Sequence, residues 1–222
     1  MAVGFSIALL AGLRDVARDV LRPRQSGTLR DRLYLGGHIA KGSNLAQDTL
    51  GLWVNQLACR AGDARGCTHV GRIYASGWGV LRDEARAIPL YERSCADGDG
   101  LGCVNLGFAL EMGQGVRADA DRAAALYEKA CQLRAESGCY RLATCYDQGI
   151  GVAVDHARAI ELYRIACDGD HTPSCIELGN RYETGADVPA NAATAHGFYR
   201  HACESGDLPS CAAQRRFEAG DD

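Results

Sequence analysis

Ten of the eleven cysteines in this chain fall on one ruler. Cys59, Cys95, Cys131, Cys167 and Cys203 stand 36 residues apart, and Cys67, Cys103, Cys139, Cys175 and Cys211 each follow eight residues later. Cys145 alone stands off the scale. A fixed period between about 20 and 50 residues marks a solenoid or a propeller. In such arrays one supersecondary unit is repeated, and each copy buries its apolar face against its neighbours.

The rest of the period decides between the two. After each second cysteine come apolar residues at helical spacing: Val70, Leu106, Leu142 and Leu178, then Tyr74, Leu110, Tyr146 and Tyr182 four positions on. A loop follows, Gly77-Trp78-Gly79-Val80 in the first copy and Gly113-Gln114-Gly115-Val116 in the second. Glycines two apart end a helix and permit left-handed backbone angles. Asp83, Asp119, Asp155 and Asn191 then sit where a second helix needs an N-cap. That helix carries Ala87, Ala123, Ala159 and Ala195, then Leu90-Tyr91, Leu126-Tyr127, Leu162-Tyr163 and Phe198-Tyr199. No segment sustains strand alternation, so the unit is predicted to be all helical.

These residues resemble the Sel1-like branch of tetratricopeptide-type repeats, whose pattern runs L-G-x-x-Y-x-x-G-x-G-V, then D-x-x-x-A-x-x-x-Y. The resemblance covers 67–210 as four repeats: 67–102, 103–138, 139–174 and 175–210. With a cysteine pair in every repeat, the chain is most similar to the Helicobacter cysteine-rich protein family. The implied fold is an all-α, right-handed α-solenoid of helix–loop–helix repeats. Departures are few. Ala143 replaces a first-helix glycine, Asp187 replaces a loop glycine, and Pro89 falls where it should bend a second helix or mark a late start.

Outside the repeats the pattern decays, as solenoid ends do. Residues 31–66 read as a degenerate repeat, and 211–222 as a partial repeat ending in a polar tail. Residues 1–30 include an eleven-residue apolar run, Val3–Leu13, too short to span a bilayer. It lacks the basic start and cleavage site of a secretion signal. The segment is read as an amphipathic capping helix, with a targeting segment or a truncated upstream boundary as alternatives. No integral membrane span is expected.

Eleven cysteines point to an oxidising compartment, a metal site or redox chemistry. Residues eight apart in one straight helix are about 12 Å apart, too far to bridge. Each pair instead straddles a turn such as Asp97-Gly98-Asp99, at which two antiparallel helices meet. The expected bridges are therefore Cys59–Cys67, Cys95–Cys103, Cys131–Cys139, Cys167–Cys175 and Cys203–Cys211, each clipping one repeat to the next. Zinc ribbons bring closely spaced pairs together on four ligands, whereas these pairs recur singly. No C-x-x-C occurs, and the six histidines are scattered, with His196 and His201 five apart. No metal and no cofactor are expected, and Cys145 is read as an unpaired, partly buried thiol.

Catalytic signatures are equally sparse. The Helicobacter resemblance implies a cell-wall or penicillin-binding protein with weak β-lactamase activity as one alternative. Serine enzymes of that class need S-x-x-K. The only lysines, Lys41 and Lys129, have no serine three residues before them. No catalytic residue is nominated, and a hydrolase is the alternative to a non-enzymatic scaffold or adaptor. A net charge of −4 gives no basic face for nucleic acid. A solenoid offers instead a concave surface lined by first helices. The candidate binding row on it is Arg72, Asn105, Phe108, Arg141, Asn180 and Arg181, with a protein or peptide as ligand and a monomer as the binding form. The disulfides imply a periplasmic or secreted protein, with a mitochondrial intermembrane-space assembly factor as a further alternative.

Overall fold

In the computed structural model, residues 45–219 are described. The capping or targeting segment 1–30, the degenerate repeat as far as residue 44, and the tail 220–222 lie outside the described residues. Within them the chain runs through α1 (Leu45–Arg60), α2 (Ala64–Ser76), α3 (Glu84–Ala96), α4 (Gly100–Met112), α5 (Ala120–Gln132), α6 (Glu136–Gln148), α7 (His156–Asp168), α8 (Thr172–Thr184), α9 (Ala192–Glu204) and α10 (Leu208–Ala219). No strand occurs among the described residues.

Helix starts and stops follow local chemistry. Asp83, Asp119, Asp155 and Asn191 accept from the backbone N–H of Arg86, Arg122, Arg158 and Thr194 at 3.1, 3.0, 2.9 and 2.9 Å. Each such cap stabilises its helix by about 1 kcal/mol. Gly77, Gly149 and Gly185 end the first helices with positive φ and return their N–H groups to Ile73, Cys145 and Arg181 carbonyls. Gly151, two residues on from one of these, combines φ +66° with a close approach: a Cβ there would meet the Ala120 carbonyl oxygen at 2.1 Å. Asp187, which stands in the corresponding place, keeps φ at 61° and so preserves the loop without glycine. Pro89 lies inside α3, which starts at Glu84, so no late start occurs. The bond its missing N–H forgoes falls to the carbonyl of solvent-exposed Ala85, which water can satisfy.

The chain divides into two compact units: the described residues up to Asn105 with Gln114–Arg117, and Leu106–Gly113 with the chain from Ala118 onward. In the first, α2 packs on α3, with Leu52, Val70, Tyr74, Ala87 and Tyr91 buried. The Cys59–Cys67 bond joins the end of α1 to the start of α2, and Cys95–Cys103 joins α3 to the start of α4. Beside the second bond, buried Thr68 and Ser94 pair with each other, and Asp99 accepts from the group.

In the second unit each helix from α5 to α10 packs on its neighbours in sequence, the contact pattern of a repeat array. Cys131–Cys139, Cys167–Cys175 and Cys203–Cys211 staple α5 to α6, α7 to α8 and α9 to α10. Across all five bonds the Cα atoms are 4.5–4.9 Å apart, at the close end of bridgeable geometry. Such proximity needs small residues nearby, and Ala123, Ala130, Ala159, Ala166, Ala195 and Ala202 are all fully buried. The alanine-rich composition is thus a packing requirement. The architecture is an all-α solenoid repeat, disulfide-linked from unit to unit of its period.

Candidate functional site

The first helices of the second unit place a charged cluster at the C-terminal end of α6 and α8. Arg181 donates through Nη2 to Asp147 Oδ2 at 2.5 Å, through Nε to Glu177 Oε1 at 3.0 Å and through Nη1 to Asp187 Oδ2 at 3.0 Å. Its side chain is 11% exposed and that of Asp147 is 9% exposed. Burial opposes the guanidinium charge, but the Asp147 and Glu177 carboxylates more than offset it and raise the Arg181 pKa. The guanidinium also lies 5.4 Å from the Tyr163 ring centre. Asp147 is shared further: Tyr163 donates its hydroxyl to Oδ2 at 2.9 Å, and His156 Nδ1 lies 3.2 Å from Oδ1. Arg181, a member of the candidate binding row, directs its fork onto three carboxylates of its own chain.

The tyrosine–carboxylate contact is a repeating clip. Tyr127 donates to Glu111 at 2.6 Å and Tyr199 to Glu183 at 2.5 Å, each 16 residues apart like Tyr163 and Asp147. Burial, reinforced by these carboxylates, pushes all three phenols far above the ordinary tyrosine range. Ala75 stands 16 residues before Tyr91, and burial alone, opposed by Arg72, takes that phenol to about 12. Sequence reasoning missed the clip, although an acid 16 residues before three of the four tyrosines is legible once the period is known.

The remaining predicted binding residues fall in two groups. In the first unit, Arg72 is exposed on α2, and Asn105 turns its amide back to the Leu101 carbonyl at 2.7 Å. In the second, Arg141 stacks over the Phe108 ring at 5.0 Å, a cation–π contact between two half-buried side chains. Asn180 is exposed, and its side-chain amide lies 2.8 Å from the Tyr199 hydroxyl, whose proton goes to Glu183.

Cys145 is unpaired and 1% exposed, more deeply buried than expected. Burial and the Glu111 carboxylate raise its thiol to about 11, with Arg141 opposing, which removes the thiolate that reactivity requires. One group of possible metal ligands occurs among the described residues: Cys167, Cys175 and His201, whose ligand atoms lie within 4.8 Å of one another. Its two sulfurs are joined as a disulfide. Linear spacing hid this grouping, because His201 reaches Cys167 from 34 residues away. No helix among the described residues is long and apolar enough to cross a membrane.

Against known proteins, the family model described as Sel1 repeat matches residues 64–99, 100–134, 137–171 and 172–207. No curated protein is similar enough to this chain to count as a match. Among solved structures, a Sel1 repeat protein from Oxalobacter formigenes shares 22% identity at a TM-score of 0.65, over 71% of this chain and 64% of that one. A protective antigen from uropathogenic Escherichia coli strains, displaying an SLR fold, shares 26% at 0.64, over 77% of this chain and 37% of that one. Helicobacter pylori cysteine rich protein B shares 26% at 0.49, over 60% of this chain and 95% of that one. This chain therefore spans less than two thirds of the first two proteins.

Proposed function

The chain belongs to the Sel1 repeat family, and we propose that it is a non-enzymatic scaffold binding a protein or peptide through its first-helix faces. Sel1 repeats are interaction modules, and the five bridged cysteine pairs favour a periplasmic or extracellular setting. One observation carries the reading. The outward polar groups of α6 and α8 are already pinned by their own chain, Arg141 on Phe108 and Asn180 on Tyr199. Side chains held in place before a partner arrives lose little entropy on binding, so their hydrogen bonds contribute more to affinity. Arg181 acts differently from the donors around it. It holds Glu177 and Asp187 at the rim as fixed acceptors. Arg72 and Asn105 belong to the same role on the first unit.

The test starts from a partner captured from a periplasmic or secreted extract and then titrated as a purified protein. Arg141→Glu and Asn180→Ala should each weaken binding by roughly 1–3 kcal/mol, the cost of a lost interfacial hydrogen bond. Thermal stability should fall by no more than about 1 kcal/mol, the size of the lost Arg141–Phe108 contact. Arg158→Glu on α7, where the side chain is exposed and paired with Glu161, should leave binding unchanged. The reverse pattern would move the site to the second helices and overturn this reading.

A further inference from the structure

The Cys167–Cys175 bridge differs from the other four in what stands beside it. His201 Nδ1 lies 3.7 Å from Cys167 Sγ, and its Nε2 lies 2.9 Å from Asp170 Oδ1. We propose that this bridge is a redox-gated site for a soft divalent cation, zinc by its chemistry, with Cys167, Cys175 and His201 as ligands once the disulfide is reduced. A sulfur and a nitrogen bound to one tetrahedral zinc, at about 2.3 and 2.0–2.1 Å, stand about 3.5 Å apart. The Cys167 sulfur and His201 nitrogen already hold nearly that separation across an intact bond.

Asp170 completes the arrangement. A carboxylate that accepts from Nε2–H leaves Nδ1 of the neutral ring as the lone-pair nitrogen, aimed at the sulfur. This is the carboxylate–histidine pairing that orients metal-bound imidazoles. The same turn position in the other repeats is held by Gly62, Gly98, Arg134 and Gly206, none of which carries a carboxylate. The histidine is equally particular. At 34 residues past the first cysteine of a pair, the chain has Arg93, Lys129, Ile165 and His201. Only the last is a metal ligand at neutral pH. Cys167 and Cys175 are 0% and 1% exposed, whereas the His201 side chain is 34% exposed and gives the ion its way in.

A dithiol reductant delivers two electrons and two protons to the Cys167–Cys175 bond, leaving two thiols and the reductant's own disulfide. One Zn²⁺ then replaces the two thiol protons, which pass to solvent, and takes Nδ1 as third ligand with water in the fourth place. Without free Zn²⁺ to hold the thiolates, the disulfide form of the same dithiol accepts the two electrons back, the Cys167–Cys175 bond re-forms and the ion leaves.

The experiment uses the full chain, reduced anaerobically and titrated with Co²⁺ and then Zn²⁺. One equivalent of Co²⁺ should give tetrahedral d–d bands and thiolate charge transfer that Zn²⁺ abolishes. His201→Leu should weaken binding at least tenfold and Asp170→Asn by about tenfold, the usual effect of losing an orienting carboxylate. A second readout separates ligation from folding. On reoxidation with excess Zn²⁺, Cys167 and Cys175 should stay alkylatable while the other four pairs re-form, and in His201→Leu all five should close. The proposal is overturned by binding that ignores His201, by zinc spread over several pairs, or by no binding. It is overturned equally if the reduced chain loses its helical circular dichroism and zinc does not restore it.

Discussion

Removal of the Cys131–Cys139 bridge tests how much stability each staple contributes. The bond closes a loop of eight residues within the second unit. In the chain-entropy description, a loop of that length takes about 8 cal/mol/K from the unfolded chain, or about 2.5 kcal/mol at 25 °C. Cys139 is 2% exposed, so replacing both residues by alanine also leaves a small void where the sulfurs packed. The expected loss is about 2.5–3.5 kcal/mol. For a chain of this size that is a fall in melting midpoint of about 5–14 °C. Far-UV circular dichroism melts and guanidinium titrations of the double-alanine variant would measure it. The equivalent Cys203–Cys211 variant should lose less, because among the described residues α10 packs chiefly on α9, whereas α6 packs on both α5 and α7. A loss under 1 kcal/mol at Cys131–Cys139, or a larger loss at Cys203–Cys211, would refute the view that each staple stabilises its neighbours.

Four further outcomes concern Cys145, the two carboxylates on Arg181 and His171. With its thiol raised to about 11, Cys145 should react with Ellman's reagent only after denaturation, releasing one equivalent; rapid native-state labelling at pH 8 would contradict its burial. Asp147→Ala leaves the Arg181 cation and the Tyr163 hydroxyl short of a buried partner, so urea unfolding should show a loss of about 2–3 kcal/mol. Asp187→Asn, at a position 38% exposed, should cost under about 1 kcal/mol. His171 has its pKa lowered from 6.5 by burial, with Glu136 opposing and Arg141 reinforcing. The unfolded chain therefore takes up that proton first, and stability should fall as pH drops below 6.5. Urea titrations at several pH values should show His171→Gln losing that part of the slope.

What the sequence determined by itself is everything that depends on neighbours within about ten residues. The N-caps at Asp83, Asp119, Asp155 and Asn191 and the glycine stops need only local backbone geometry. The cysteine pairs likewise lie eight residues apart across one turn, so their period located them before any packing was known. Tertiary structure decided what reaches across a repeat. The partners of Arg181 include Asp147, 34 residues away, and the same interval brings His201 to Cys167. Those meetings depend on how one helix pair is set against the next, which residue spacing alone does not specify. The burial of Cys145 arises in the same way, since a thiol off the cysteine ruler has no periodic partner and its surroundings come from the packed helices. Local patterns made the repeat legible; the contacts of Arg181, His201 and Cys145 were set only where the repeats stack.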